Sequence, residues 1–318
     1  NFKLFLEEKE KDQPFLFWVG GLEPHRRYQY RVGIEYGNKT TDDIKSVPNY
    51  WPDSENVRID MLDYAFEIEY FDSHLERIIK ELEIRDLLEN TIIVVTSDNG
   101  MPFPRVKGQV YPDDNRLPLA IRWGKGIKNP GRVIDEYFSF SDFAPTFLDI
   151  IGINQDLHEM EDFSGKSWKE VFFNNSIKFE REYIILGKER HDVGRENDKG
   201  YPVRSILKNN YFYSINFEPN RWPAGNPETG YLNTDGSPTK SEILNLKRDN
   251  VNSVFWELAF GKRPKETLYN LINDPRCLVN IADNNAFMDV KSDLNKILIR
   301  DLINQKDPRV MGRGKIFD

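Results

Sequence analysis

The sequence of 318 residues predicts an α/β fold with a mostly parallel central sheet. Two observations predict this class: several short apolar runs are continuous, and a long helical apolar stripe lies between the first two of them. Continuous runs are typical of strands that helices cover on both faces, whereas alternating runs indicate a strand with one face in solvent. The order strand, helix, strand therefore favours a sheet sandwiched between helices.

Three apolar runs predict buried strands, and a fourth run is a further candidate. They are Pro14–Gly20, Thr91–Ser97, Tyr183–Gly187 and, as the fourth, Leu117–Trp123. All four are far shorter than the roughly 20 apolar residues that a membrane-spanning helix needs, so no membrane span is expected.

The clearest helix lies between the first two predicted strands. Its apolar residues recur at spacings of three and four, as on one face of an amphipathic helix. These residues are Met61, Tyr64, Ile68, Phe71, Leu75, Ile78 and Leu82. Asp53 or Ser54 is the expected N-cap of this helix. A second helix is predicted over Ser141–Ile151, and Gly152 is its stop signal.

The composition changes in the second half of the chain, where Gly, Pro and Asn become frequent, above all in 218–230. These residue types favour turns and irregular loops. Short alternating runs within 204–217 predict an antiparallel hairpin, and 287–305 is interpreted as a closing helix. We therefore expect residues 1–200 to belong to one α/β domain and residues 201–318 to form a smaller α+β subdomain.

Charge and composition limit the function classes. The chain has 44 Lys and Arg against 52 Asp and Glu, a formal net charge of −8, which argues against a general nucleic-acid binder. Apolar residues make up 39% and aromatic residues 13%, enough for a sizeable core. The single cysteine, Cys277, excludes an internal disulfide and a multi-cysteine metal site, and no basic partner at motif spacing marks it as a nucleophile.

Polar clusters follow three of the predicted strands. They are Gly20–Arg27 with His25, Ser97–Gly100 followed by Arg105 and Lys107, and Lys188–His191. In parallel α/β sheets, ligands bind beyond the carboxyl ends of the strands, so we expect these clusters to converge.

Four of these residues suit an anion and a metal ion. Asp98 and Asn99 offer adjacent oxygen donors of the kind that Ca²⁺ or Mg²⁺ binds, although two donors do not complete a shell and an Asx turn is the alternative. Lys107 as a point charge and His25 as a donor or acid suit a tetrahedral anion. Taken singly, such a lysine is usually a surface residue and such a histidine more often a structural one.

Several stretches resemble the second half of type I sulfatases, a family of the alkaline-phosphatase superfamily. They are 87–100 with 102–108 and 116–119, the strand-to-Pro-His stretch 15–26, 142–149, and 268–275 continued by 280–283. The resemblance covers nearly the whole chain and implies an alkaline-phosphatase-like sandwich. Stretches 221–230 and 235–239 are similar to a subgroup described as heparan N-sulfatase-like.

The resemblance also implies roles for individual residues. Asp98 and Asn99 match two of the family's Ca²⁺ ligands, Lys107 matches a residue that binds a sulfate oxygen, and His25 matches a residue beside the scissile bond. Arg105, Glu189, Arg190 and His191 occupy loop positions suited to holding a sugar. A metal ion with fixed cations is the arrangement that stabilises charge on a transferring sulfuryl group.

Three departures from the family pattern limit what this chain does alone. Type I sulfatases use a formylglycine made from Cys or Ser in a Cys-x-Pro-x-Arg segment; the sequence contains no such segment, and Leu-Val-Asn follows Cys277. The family's N-terminal pair of metal-binding Asp residues is also absent, and Leu22 stands where relatives often carry another His. The chain opens at Asn1 without a signal region, so we interpret it as part of a longer protein.

The expected function is that of a calcium-dependent hydrolase of sulfate esters or sulfamates on sulfated sugars or glycosaminoglycans. An N-terminal fragment or second chain would complete the fold and supply the formylglycine, and the family's usual location implies a periplasmic or extracellular protein. Two alternatives remain: a phosphodiesterase or phosphonate hydrolase of the same superfamily with a Thr or Ser nucleophile, and a non-catalytic remnant that needs a partner chain. The residues upstream of Asn1 would discriminate among them.

Overall fold

The computed structural model describes residues 1–26, 28–153, 160–174 and 181–318, so Arg27 of the first polar cluster lies outside the described residues. The helices are α1 (Phe2–Glu8), α2 (Val32–Glu35), α3 (Glu55–Ile84), α4 (Pro112–Asn115), α5 (Phe143–Ile150), α6 (Lys169–Phe173), α7 (Pro238–Asp249), α8 (Val254–Phe260) and α9 (Met288–Asn304). The strands are β1 (Ile93–Thr96), β2 (Leu119–Arg122), β3 (Tyr183–Lys188), β4 (Val203–Lys208), β5 (Tyr211–Asn216) and β6 (Glu266–Asn270).

The strands form two sheets. β1 pairs with β2, and β3, β4, β5 and β6 lie side by side in chain order. The α/β class is confirmed, but every pair among the described strands is antiparallel, so the parallel pairs expected from the sequence are not found there. A continuous apolar run indicates burial and carries no information about the direction of the neighbouring strand.

The first predicted strand, Pro14–Gly20, is not a strand in this structure. Its residues have no regular secondary structure, and the side chains of Leu16 and Trp18 are 84% and 86% exposed. None of the described strands pairs with this segment. Strand formation needs a partner for the backbone hydrogen bonds, and an apolar sequence by itself supplies only the propensity.

Helix α3 confirms the predicted long helix, and the Ser54 side chain caps it by accepting a bond from the Val57 amide. One face of the helix is buried near each end, where Val57 is fully buried and Leu82 is 1% exposed. In the middle of the helix, Ile68 is 43% exposed, so the predicted stripe is covered at its ends and partly open between them. Helices α5 and α9 and the β4–β5 hairpin also confirm their predictions.

Two apolar clusters form most of the core. One lies where α3 meets α7, α8 and the loop after β1, and it includes Trp51, Phe103 and Phe260. The other lies between the second sheet and α9 and includes Ile206 and Leu298. Because β3 pairs with β4, this second sheet takes strands from both sides of residue 200, and the expected domain division there stays a prediction.

No helix among the described residues is long and apolar enough to cross a bilayer.

Candidate functional site

A cleft of about 490 Å³ opens beside the first half of α3. The loop before α2, the first half of α3 and the segment that leads into α7 enclose it. Its lining residues are His25, Arg26, Tyr28, Tyr30, Asp60, Asp63, Asp235, Gly236 and Pro238.

Lys107 connects the loop after β1 to this cleft. Its Nζ lies 3.3 Å from Nε2 of His25 and 3.1 Å from Oδ2 of Asp235, and its side chain is 13% exposed. The His25 Nδ1 lies 3.1 Å from the carbonyl oxygen of Arg26. An ammonium group only donates, so Nε2 accepts and the ring proton belongs on Nδ1, where the carbonyl receives it. The structure thus brings the predicted pair His25 and Lys107 together and adds Asp235.

Arg26 fastens the His25 loop to the rest of the site. Its Nη1 and Nη2 donate to Oδ1 and Oδ2 of Asp60 at 2.6 and 3.1 Å, and its Nε donates to the carbonyl oxygen of Pro102 at 2.7 Å. The guanidinium also lies 4.5 Å from the centre of the Phe103 ring. A bidentate pair of this kind fixes both distance and orientation. Arg26 therefore joins the His25 loop to α3 and to the loop that carries Lys107.

Asp60 also binds the start of α7, which follows the loop that carries Asp235. The Thr239 hydroxyl and amide, in the first turn of α7, donate to Asp60 Oδ2 at 2.6 and 3.2 Å. Asp60 has no exposed surface, and all its contacts satisfy a buried charge. The segments that carry His25, Lys107 and Asp235 are therefore bonded, directly or through Arg26, to one carboxylate on α3.

A second pair of charges holds the loop that carries Lys107. The Gly100 amide donates to Asp114 Oδ1 at 3.1 Å, and Lys188 Nζ donates to the carbonyl oxygen of Gly108. Burial raises the pKa of Asp114 to about 7 and lowers the pKa of Lys188 to about 7, while the attraction between the two opposes both shifts. Asp114 thus holds one end of the loop 100–109 through the Gly100 amide, and Lys188 holds the other end through the Gly108 carbonyl oxygen.

Comparison with known proteins identifies the family. The Sulfatase family model matches residues 1–153. The chain is 30% identical over 261 residues to the ulvan-active sulfatase of Formosa agariphila, covering 80% of this chain and 40% of that protein. It is 25% identical over 308 residues to N-sulphoglucosamine sulphohydrolase of Homo sapiens, covering 86% of this chain and 59% of that protein. The chain belongs to the sulfatase family.

The solved structures agree on the fold. A Bacteroides thetaiotaomicron protein from work on the metabolism of multiple glycosaminoglycans matches with a TM-score of 0.68 at 17% identity, covering 98% of this chain and 59% of that chain. The alkaline-phosphatase-like fold that the sequence predicted is therefore confirmed. The sulfatase chain described here spans about half the length of the curated relatives it matches.

The predicted metal donors of this sulfatase chain lie in the bend directly after β1. Asp98 is exposed, Asn99 is partly buried, and the Ser97 hydroxyl donates to the Asn99 carbonyl oxygen at 2.6 Å. Their oxygen atoms fit the chemistry of Ca²⁺, which takes six to eight oxygen ligands. Within the described ranges, no group of three or more His, Cys, Asp or Glu is placed to hold a metal ion, so the two residues are at most part of a ligand set.

His191 is the one predicted sugar-binding residue of the sulfatase chain that lies against the Lys107 loop. Gly108 has a φ of +74°, and a Cβ added there would lie 2.4 Å from His191 Cδ2, so the imidazole rests on the glycine. Partial burial, together with the nearby cations Lys188 and Lys107, lowers the pKa of His191. The ring is therefore neutral near pH 7.

Glu189 and Arg190 have other partners. Glu189 accepts from Arg204 at 2.5 Å and from Arg309 at 2.9 Å, while Arg190 pairs with Asp198 at 2.7 Å. Neither residue is among those that line the cleft.

Arg105 faces the core. It is 3% exposed, its Nη1 donates to the Leu258 carbonyl oxygen at 2.8 Å, and its guanidinium lies 4.1 Å from the centre of the Tyr111 ring. Position in a loop suggested a sugar contact, but the direction of a side chain cannot be read from a loop sequence. Cys277, whose carbonyl oxygen also accepts from Arg105, is buried, and burial raises the pKa of its thiol, so it is an unreactive thiol near neutral pH.

Sequence reasoning missed Asp60 and Asp114, and it placed Lys188 in a polar cluster and Asp235 in a family-like stretch without predicting their partners. Asp60 had a usable signal, because it lies four residues before Tyr64 on the apolar stripe of the predicted helix, where a charged residue needs a partner. Asp235 opened a stretch quoted for its family resemblance, but nothing local indicated a bond to Lys107. The interaction of Asp114 on α4 with Lys188 at the end of β3 joins residues far apart in the chain and has no local signal.

Proposed function

We propose that this chain carries the sulfate-binding part of the active site of a sulfatase that releases sulfate from esters or sulfamates on sulfated sugars. The observation that supports this most is the placement of the Lys107 ammonium between His25 and Asp235 at the edge of a cleft. A sulfate group that enters the cleft can accept a further hydrogen bond from Lys107, because the ammonium has three donors and His25 and Asp235 take two of them.

The proton at the leaving oxygen comes from Lys107 in this proposal. His25 holds its own proton on Nδ1 against the Arg26 carbonyl, so the nitrogen that faces Lys107 is an acceptor. Lys107 therefore donates to the bridging oxygen or nitrogen of the sulfate, while His25 Nε2 orients the ammonium. Cations fixed beside a developing negative charge are worth several kcal/mol because they need no reorganisation.

The charge balance of the cleft supports a metal ion. The lining contains three carboxylates, Asp60, Asp63 and Asp235, against two cations, the Arg26 guanidinium in the lining and the Lys107 ammonium at its edge. This excess of negative charge would repel a sulfate. We propose that Asp98 and Asn99 give two oxygen ligands to Ca²⁺, which when bound would polarise the sulfate and offset this repulsion.

The rest of the proposal concerns what lies outside this chain. A formylglycine nucleophile would come from another segment of the protein or from a partner chain. The polypeptide that carries the formylglycine would pack on two exposed apolar features of this chain. They are the residues around Trp18 and the partly open middle of α3 at Ile68. Residence in the periplasm or outside the cell is proposed from the family resemblance and is tested by fractionation of the producing cells.

The test uses the whole protein, with sulfate release from N- and O-sulfated hexosamines followed by ion chromatography. Lys107→Ala should lower kcat/KM by about 100-fold or more, as loss of one fixed transition-state donor does. Lys45→Ala is the matched control, because Lys45 is an exposed lysine in the segment between α2 and α3 and is not among the residues that line the cleft. Undiminished turnover by a Lys107→Ala, Asp98→Ala double variant would overturn the proposal. Faster hydrolysis of a phosphonate monoester than of any sulfate would favour the other branch of the superfamily.

A further inference from the structure

A second groove, of about 390 Å³, continues the cleft along α7. Its lining residues are Tyr30, Asn56, Pro238, Ser241, Glu242 and Asn245. Tyr30 and Pro238 also line the cleft beside His25, so the two depressions share a wall and form one continuous surface.

The groove combines an aromatic face with polar groups held in a fixed row. The Tyr30 side chain is 45% exposed, and its hydroxyl donates to Asn56 Oδ1 at 3.2 Å. The Asn56 amide then donates to Glu242 Oε2 at 3.1 Å. Each of these groups keeps hydrogen-bonding capacity toward the groove, since carboxylate and amide oxygens accept more than one bond.

This combination is complementary to an uncharged sugar ring. A pyranose presents an apolar C–H face, which packs on an aromatic ring, and an edge of hydroxyl groups, which bond to amides and carboxylates. The residues that line the groove include no Lys or Arg, whereas Lys107 and Arg26 lie at the cleft. Glu242 would repel a second sulfate.

We propose that the groove binds the neighbouring, unsulfated sugar ring of an oligosaccharide whose sulfated ring occupies the cleft. The inference rests on the proposed function and deepens it, because it sets the substrate class as a saccharide of at least two rings with uneven charge. Tyr30, at the wall between the two depressions, contacts both rings in this arrangement, and Asn56, Glu242 and Asn245 contact the second ring alone.

The first experiment compares kcat/KM of the whole protein on one sulfated hexosamine, offered alone and joined to an unsulfated hexose. We expect the disaccharide to be preferred about tenfold, the ratio that one stacked and hydrogen-bonded ring supplies. Asn245→Trp, which fills the groove, should bring the ratio to about one. Tyr36→Ala is the control, because Tyr36 is 67% exposed and is not among the lining residues, and it should keep the wild-type ratio.

The second experiment tests the charge argument with a disaccharide sulfated on both rings. It should be a poorer substrate than the singly sulfated one, and Glu242→Gln should reduce that difference. A wild-type ratio near one, or an Asn245→Trp variant that keeps the disaccharide preference, overturns the inference while sulfate release from the monosaccharide leaves the proposed function standing.

If no substrate releases sulfate, the proposed function fails. Saturation-transfer NMR with the unsulfated disaccharide then tests, independently of turnover, whether the groove binds a sugar. Transfer to the sugar protons in the wild type that disappears in Asn245→Trp supports a sugar site. Equal transfer in both proteins, or none in the wild type, excludes it.

Discussion

Two regions of the molecule each have an apolar core, but only the region around α3 gathers its functional segments on one buried carboxylate. Around α3, the segments of the cleft meet on the buried carboxylate of Asp60, which binds Arg26 and Thr239. In the C-terminal region, the sheet packs on α9 through apolar side chains such as Ile206 and Leu298, both fully buried. Apolar burial is non-directional, whereas a hydrogen-bonded ion pair fixes atoms relative to one another. In the site region, the bonds to Asp60 therefore fix the positions of the segments, in addition to the apolar packing that both regions share.

The largest expected effect follows from breaking the polar centre. Asp60→Ala leaves the Arg26 guanidinium and Thr239 without their acceptor, and removal of one partner of a buried pair costs about 4 kcal/mol of unfolding free energy. Urea denaturation measures this loss, and sulfate release should fall with it because three segments lose their common anchor. Asp53→Ala, which removes the exposed partner of Arg58 just before the same helix, is the control and should change little. Equal losses in both variants would contradict the comparison.

A cavity in the sheet region should lower stability without moving the site. Leu298→Ala removes a fully buried side chain between α9 and the sheet, at an expected cost of about 3 kcal/mol. Denaturant titration gives the cost, and kcat measured well below the unfolding transition should stay at the wild-type value. Ile303→Ala, 48% exposed on the same helix, controls for helix propensity. A kcat that falls in proportion to stability would show that the two regions are not separable in this way.

The pair Asp114 and Lys188 should give the site region its own pH dependence. The pKa of Asp114 is raised to about 7, so the folded state binds a proton that the unfolded state has lost, and this contribution to stability declines as the pH rises from about 4 to 7. The pKa of Lys188 is lowered to about 7, so its contribution is unfavourable below pH 7 and recovers between pH 7 and about 10. Asp114→Asn should remove the decline on the acid side, as read from unfolding free energy against pH. An unchanged slope between pH 4 and 7 would contradict the assignment, and exposed Glu196→Gln is the control.

The smallest effect is expected at the surface of the sheet region. Arg190 and Asp198 form an ion pair whose side chains are 40% and 44% exposed. A double-mutant cycle should give a coupling energy of about 0.5 kcal/mol, as exposed pairs do. Raising the salt concentration should reduce it further. A coupling energy as large as the stability lost in Asp60→Ala would mean that burial does not make the Arg26–Asp60 pair stronger than the exposed Arg190–Asp198 pair.

The elements that sequence patterns predicted are those with local causes. The spacing of apolar residues and the Ser54 cap lie within α3 itself, and the β4–β5 hairpin joins adjacent runs, so both could be inferred from short windows. The direction of β1 relative to β2 and the absence of a strand at Pro14–Gly20 depend on distant partners. Such pairing is a property of the whole sheet and leaves no trace in the run itself.

The same division holds for the site. His25 and Lys107 were predicted together because each follows an apolar run and because the family resemblance pairs them, and the structure places them 3.3 Å apart. Asp235 lies 128 residues after Lys107, and no local pattern indicates a bond across that separation. Arg105 shared the loop with Lys107 but faces the core, because left-handed backbone at Arg105, with a φ of +70°, and contacts from α8 decide its direction.

The fluorescence of the exposed Trp18 indole is sensitive to whatever binds beside it. Trp51 and Trp168 are both only 2% exposed, whereas Trp18 is 86% exposed, so it is the indole whose emission responds most to contact with another polypeptide. Covering that ring would shift its fluorescence to shorter wavelength and shield it from iodide quenching. A titration with candidate partner segments can therefore follow docking at this surface without any added label.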